Sequence, residues 1–256
     1  MPRLGGMRSA EVPDDLGRKV QVPAEATKVL SLVPSLTEAV AATRPEALVG
    51  ATDWCTHPAE LDVPRVRGTK NPDLAAIRAL APDLVIANQE ENRELDVRRL
   101  TEAGVPVWVT RIETVPEALE SMSRLFETAL GWGVPGWLAE ACGAWDHPVP
   151  PVRARVAVPV WRDPWMVVGR STFTGDLLRR RGFENVFAEH ADRYPKVELA
   201  EIDRDDVDVV LLPDEPYVFT PDDGPEAFTR PTRLVSGRLL TWYGPSLLEA
   251  ATFQVE

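Results

Sequence analysis

"KVLSLVPSLTEAV", residues 28–40, joins an apolar run to a helix signal. Its first half, "KVLSLV" (28–33), has the length and β-branched content of a buried strand. Pro34 interrupts the run. Ser35-Leu-Thr-Glu38 then reads as a capping box, in which a hydroxyl and a carboxylate satisfy free amides at a helix start. The stretch predicts a strand that turns directly into a helix, and the rest of the chain decides whether this unit repeats.

It does. "ALVGAT" (47–52) is the next predicted strand. In "NPDLAAIRALAPDLVIAN" (71–88), Asn71-Pro72 predicts an N-cap with proline at the first helical position. Leu74, Ile77 and Ala81 follow at helical spacing, and "DLVIAN" (83–88) is a third strand. A helix runs on to about Ala103, Gly104 stops it, and "VPVWVT" (105–110) is the fourth strand. Ala118, Met122, Leu125, Phe126 and Ala129 mark a further helix. Strands alternating with helices predict a parallel sheet wrapped by helices, with ligands gathering at the C-terminal strand ends.

The second half alternates again. "ARVAVPV" (154–160) is read as a strand ending in Trp161, Arg162 and Trp165, "TGDLLRRRG" (174–182) as a helix, and "VDVVLL" (207–212) as a strand ending near Tyr217. "GRLLTWYGP" (237–245) is read as a strand entering an aromatic loop, and "SLLEAATF" (246–253) as a closing helix. Between the halves, "GWGVPGW" breaks the pattern, and Pro148, Pro150 and Pro151 stiffen the chain. The predicted organisation is an N-terminal α/β lobe (1–130), a helical and proline-rich connector (131–152) and a C-terminal α/β lobe (153–256).

The 256 residues carry 28 basic and 40 acidic side chains, a net charge of −12. That balance argues against nucleic acid and anionic membrane surfaces as partners. No run reaches the ~18–20 apolar residues of a membrane span. The opening "MPRLGGMRSAEVPDDLG" shows no apolar core of a signal peptide, and two cysteines make no disulfide framework. Taken alone, these features predict a cytoplasmic protein acting as a monomer.

"DDLGRKVQVP" (14–23), "KVLSLVPSLTEAV" (28–40), "NPDLAAIRALAPDLVIAN" (71–88) and "LTEAGVPVWV" (100–109) resemble the helical-backbone (class III) periplasmic binding proteins, above all the cobalamin-binding and iron-siderophore-binding branch. The resemblance implies two Rossmann-like lobes with parallel sheets, a helical connector and a ligand cleft between the lobes. It implies a corrinoid, haem-like or ferric siderophore ligand, with no intrinsic cofactor and no catalytic residue. In importing members each lobe presents a glutamate to the permease. The corresponding positions here are Ala75 and Ala200, with Glu201 adjacent, which speaks against permease docking. The expected function is therefore that of a cytoplasmic carrier or sensor. The substrate-binding subunit of an ABC importer and an enzyme acting on a metal complex are the alternatives.

The candidate ligand contacts lie in predicted strand-end loops. "DWCTHP" (53–58) offers Trp54 for stacking, Cys55 for packing, and His57 as a hydrogen-bond donor or as axial ligand to a metal already inside a cofactor. His57 is also the one weak candidate for a protein metal ligand, but a closed zinc site needs about four donors and no companion motif is present. Lys70, Asn88 and Glu90 form a polar set. Trp161, Trp165, Tyr217, Trp242 and Tyr243 form an aromatic set, suited to a mostly apolar pocket with polar tips. Arg162 is placed to pair a ligand carboxylate or phosphate. No nucleophile elbow, P-loop or dinucleotide fingerprint is present.

Overall fold

The computed structural model describes residues 10–254. They divide into two compact units. The first comprises the chain up to Ile112, Glu117–Glu140 and Tyr243–Pro245; the second comprises Glu113–Pro116, Ala141–Trp242 and the chain from Ser246 on.

The first unit opens with a hairpin, β1 (Ala10–Pro13) and β2 (Lys19–Val22). Asp14 holds its turn by accepting from the Leu16 and Arg18 amides, and Gly17 supplies the positive φ of +74°. The same carboxylate accepts from the Val109 amide, while Asp15 accepts from the Arg111 amide and from Arg124 Nη1 at 2.7 Å. Two adjacent aspartates thus fasten the hairpin to the edge of the main sheet.

That sheet is built from β3 (Val29–Ser31), β4 (Leu48–Ala51), β7 (Leu84–Asn88) and β8 (Val107–Thr110), all parallel, in the order β4-β3-β7-β8. Between β4 and β7 lie the two-residue strands β5 (Arg67–Gly68) and β6 (Asn71–Pro72). α1 (Pro34–Ala41), α2 (Leu74–Leu80), α3 (Glu94–Glu102) and α4 (Val115–Arg124) alternate with the strands, and a wider helical turn (Leu125–Ala129) extends α4. Leu30, Ile77, Val85, Leu100 and Val109 share one buried cluster, so the apolar runs that predicted strands do form the core.

Two start signals differ from expectation. α1 begins at Pro34, after Val33, so Ser35 lies within the helix and is buried. Proline fixes φ for a first helical position and shifts the start one residue ahead of the capping box. α2 is capped by Asp73, whose carboxylate accepts from the Ala75 and Ala76 amides, and Asn71-Pro72 is strand. Asp73 wins because a carboxylate caps as well as an amide and meets the helix dipole more favourably.

The second unit repeats the topology. Here β9 (Ala154–Ala157), β12 (Phe183–Asn185), β13 (Val209–Pro213) and β14 (Thr232–Val235) form a parallel sheet in the order β12-β9-β13-β14. In both sheets the first strand lies inside, with the second on one flank and the third on the other, the arrangement that opens a crevice at the C-terminal strand ends. β10 (Pro159–Trp161) leaves the line of β9 and pairs with β11 (Met166–Val167) as a separate hairpin, so "ARVAVPV" is two strands. The helices are α5 (Gly136–Trp145), α6 (Phe173–Arg180), α7 (Leu199–Ile202), α8 (Gly237–Thr241) and α9 (Ser246–Ala250). Thr172 caps α6 through its hydroxyl. "GRLLTWYGP" holds helix α8, and the fourth strand lies earlier, at β14. The division between units falls inside α5, between Glu140 and Ala141, within the stretch 131–152 read as connector.

Candidate functional site

In the first unit the DWCTHP loop leaves the C-terminal end of β4. Arg65 shapes it: Nη1 donates to the Thr52 and Cys55 carbonyls at 2.9 and 2.8 Å, and Nη2 to the Leu61 carbonyl at 3.0 Å. A planar guanidinium bound to three carbonyls fixes the loop's course. Nothing in "VPRVRG" marks this residue in the sequence. Trp54 is 67% exposed at the loop's apex. Cys55 is fully buried; its sulfur accepts from the Thr37 hydroxyl at 3.0 Å and lies 3.1 Å from the Thr52 hydroxyl. Burial pushes its thiol above the ordinary range, and those hydrogen bonds only partly oppose the rise. Cys55 therefore packs the loop base. His57 is exposed, with Nδ1 3.2 Å from the Thr56 hydroxyl. Among the described residues no three His, Cys, Asp or Glu side chains are grouped to hold a metal ion.

The second loop leaves β7. Asn88 is buried and committed to its own surroundings. Its Nδ2 donates to Thr110, its Oδ1 accepts from the Glu90 amide at 2.8 Å, and its own amide donates to Asn92 Oδ1 at 2.8 Å. The polar atoms of the Asn88 side chain are engaged within the loop it builds. Lys70 Nζ donates to the Glu90 carbonyl, tying this loop to β5 and β6, while the Glu90 side chain is exposed. Tyr243 belongs to this unit and not to the second. It is buried, and its hydroxyl donates to Glu91 Oε1 at 3.1 Å.

In the second unit the ends of β10 and β13 bring together an aromatic and ionic cluster. Trp161, 44% exposed, meets Tyr217 edge to face at 5.6 Å between ring centroids. The Tyr217 hydroxyl donates to Asp223 Oδ2 at 2.6 Å, and Asp223 also pairs with Arg162. Arg162 pairs with Glu226 at 2.5 Å and lies over the Trp165 ring. Trp165 stacks nearly parallel on Phe219, 6.1 Å away, and Tyr217 touches Phe219 as well. The charges reinforce one another. The Glu226 hydrogen bond holds Arg162 more firmly protonated, Arg162 in turn lowers the Glu226 carboxyl, and the Asp223 hydrogen bond raises the Tyr217 phenol. Arg162 is therefore engaged by two carboxylates. Trp165 is packed among Phe219 and Phe228, with part of its surface open. Trp242 is buried at the end of α8, because the segment preceding it is helix and not the expected strand.

Beside the exposed polar side chains of these loops, large apolar ones are open to solvent: Trp54 in the first unit, and Trp161 and Val218, 63% exposed, in the second. All three follow strand ends, where flat ligands can be held by stacking with polar atoms fixed around them.

Two α/β units, each built on a parallel sheet of this order, match the fold of the helical-backbone, or class III, periplasmic binding proteins, and the resemblance carried by the four sequence segments stands. No protein-family model matches the chain. The chain is similar to the vitamin B12-binding protein of Vibrio parahaemolyticus, 25% identical over 185 residues that span 68% of this chain and 66% of that relative. Among solved structures it is similar to Helicobacter pylori CeuE in a nickel–histidine complex (TM-score 0.80, 14% identity, 95% of this chain and 86% of that one). It is also similar to the periplasmic vitamin B12 binding protein BtuF of Vibrio cholerae (0.69, 17%, 88% and 94%). The periplasmic haem-binding protein RhuT of Roseiflexus in its apo form is a further neighbour (0.70, 21%, 89% and 95%). The Vibrio parahaemolyticus relative, BtuF and RhuT are binding proteins, for vitamin B12 or haem.

The comparisons overturn the expectation of a cytoplasmic protein. BtuF and RhuT are periplasmic, hence exported, and the cytoplasmic carrier or sensor has no counterpart among these relatives. The expectation leaned on the first residues of the sequence, of which residues 1–9 lie outside the described residues.

Proposed function

We propose that this chain is an exported, non-enzymatic binding protein for a flat metal macrocycle, a corrinoid or a haem, and that it serves as the substrate-binding component of an importer. A ferric siderophore is the alternative ligand. The observation that carries the reading is the exposed aromatic surface at strand ends, Trp161 against Tyr217 in one unit and Trp54 in the other, in a chain whose relatives bind vitamin B12 and haem. Indole and phenol faces supply stacking area at low entropic cost, because each has only two side-chain torsions to fix. The fixed Arg162–Asp223–Glu226 cluster keeps the Tyr217 ring in place, so little ordering is left for the binding step.

The test is titration of the purified chain with cyanocobalamin, haemin and a ferric siderophore, followed by tryptophan fluorescence and visible absorption. One of them should bind at one equivalent and quench the tryptophans, and Trp161→Ala should weaken it by roughly 1–2 kcal/mol, the size of a lost aromatic contact. Absence of binding for all three would remove the proposal. Cell fractionation of the native gene product tests export separately.

A further inference from the structure

In a chain with twelve more acidic than basic side chains, a place where arginines gather without carboxylates is an exception. One such place lies in the second unit: a depression of about 380 Å³ lined by His147, Pro150, Arg153, Arg180 and Arg181. It belongs to neither of the strand-end loops described above.

Two of these arginines are tethered to backbone carbonyls. Arg153 Nη2 donates to the Arg181 carbonyl at 2.6 Å, and its guanidinium lies 5.2 Å from the Phe183 ring centroid. Gly182 makes this possible. Its φ is +78°, and a Cβ there would sit 3.0 Å from Arg153 Nε. Arg181 donates through Nε and Nη2 to the Phe253 carbonyl, at 3.2 and 3.1 Å. Each guanidinium carries five N–H donors, so both retain donors beyond these tethers. Arg180 differs, since its Nε is given to Asp176 at 2.8 Å.

Among the described residues neither Arg153 nor Arg181 pairs with a carboxylate. Burial, and then the charge of Arg153, makes Arg181 easier to deprotonate than an ordinary arginine. Like charges held side by side by carbonyl tethers are costly, and an anion between them relieves the cost through charge-assisted hydrogen bonds. Guanidinium forks match tetrahedral oxyanions in geometry.

We propose that this depression binds a tetrahedral oxyanion of the phosphate class, free or as the head group of an ester, with Arg153 and Arg181 as its principal donors. The test is calorimetric titration of the full chain with inorganic phosphate and with glycerol 3-phosphate, against sodium chloride at matched ionic strength. Phosphate should bind at one equivalent where chloride gives no saturable heat. Arg153→Gln and Arg181→Gln should each weaken it about tenfold, as expected for a charged hydrogen-bond partner, and Arg98→Gln, on the exposed face of α3, should leave it unchanged. Tighter binding of the ester identifies an ester as occupant, and equal affinities identify the free anion. Phosphate heats no different from chloride, or full affinity in both pocket variants, would overturn the proposal. Should either variant fail to fold by circular dichroism, phosphate-dependent shifts of the arginine Nε resonances in the wild-type chain decide the matter.

Discussion

Two residues three positions apart in one loop, Trp54 and His57, face solvent, while Cys55 between them is sealed. A thiol reacts as thiolate, and burial disfavours that form at Cys55. Cys142, half-buried on α5, is the accessible one. A maleimide should therefore label about one thiol per native chain and both after denaturation, with the native adduct mapping to Cys142; rapid native modification of Cys55 would contradict the packing assignment. The same contrast separates scaffold from contact residues. Asn88→Ala leaves the Glu90 amide and the Thr110 hydroxyl with a lost partner in a buried setting, and should destabilise the fold by roughly 1–3 kcal/mol. Trp54→Ala removes a largely exposed side chain and should change stability by less than about 0.5 kcal/mol. Chemical denaturation of the two variants reads this difference directly. In sequence, Asn88 and Trp54 are both distinctive residues near a strand end. Hydrogen-bond saturation is a property of the closed loop, and no local pattern displays it.

At the scale of elements, strands were legible where an apolar run was long enough to be buried on both faces, as in "DLVIAN" and "VDVVLL". "GRLLTWYGP" misled because a short run of two leucines followed by aromatics fits a strand and a buried helical turn equally well. In the β1–β2 hairpin Lys19-Val20-Gln21-Val22 alternates as a strand does, but its hold on the sheet comes from Asp14 and Asp15, whose partners lie nearly a hundred residues away. Helix starts obey the same logic of specific polar partners. Asp73→Ala removes the cap of α2 and should lower Tm by roughly 2–4 °C, whereas Ser35→Ala, at a position that caps nothing, should not. Asp176, in the first turn of α6, is the other fixed point. Burial alone would raise its carboxyl, but hydrogen bonds from Arg180, from the Val115 amide and from Arg179 outweigh burial and leave it below the ordinary range. A depressed folded-state value means that the contribution is present above the unfolded carboxyl value of about 3.9 and is lost as pH falls through the folded one. Asp176→Asn should therefore be less stable than wild type by roughly 1–3 kcal/mol at neutral pH. That gap should close as the pH is taken below about 4, the ordinary aspartate range; a gap independent of pH would show that packing, and not charge, sets the difference.

At the scale of the whole molecule, the importer reading meets an obstacle at Ala75 and Ala200. Both are exposed on the first turns of α2 and α7, where the resemblance places docking glutamates. The adjacent Glu201 is not a ready substitute, since its side chain accepts from the Glu198 amide at 2.8 Å and closes the capping box of α7. A permease that reads carboxylates with arginines would lose one charge-assisted pair per unit, each on the order of 2–5 kcal/mol. The chain as it stands should then show no measurable affinity for a vitamin B12-type permease in detergent or nanodiscs, with or without ligand. The Ala75→Glu, Ala200→Glu double variant should gain affinity that falls as salt is raised, because the restored pairs are screened. Each single variant should recover part of it. Tight docking by the unmodified chain would mean that its importer recognises other surface groups, and the salt dependence of that complex would tell whether those groups are charged.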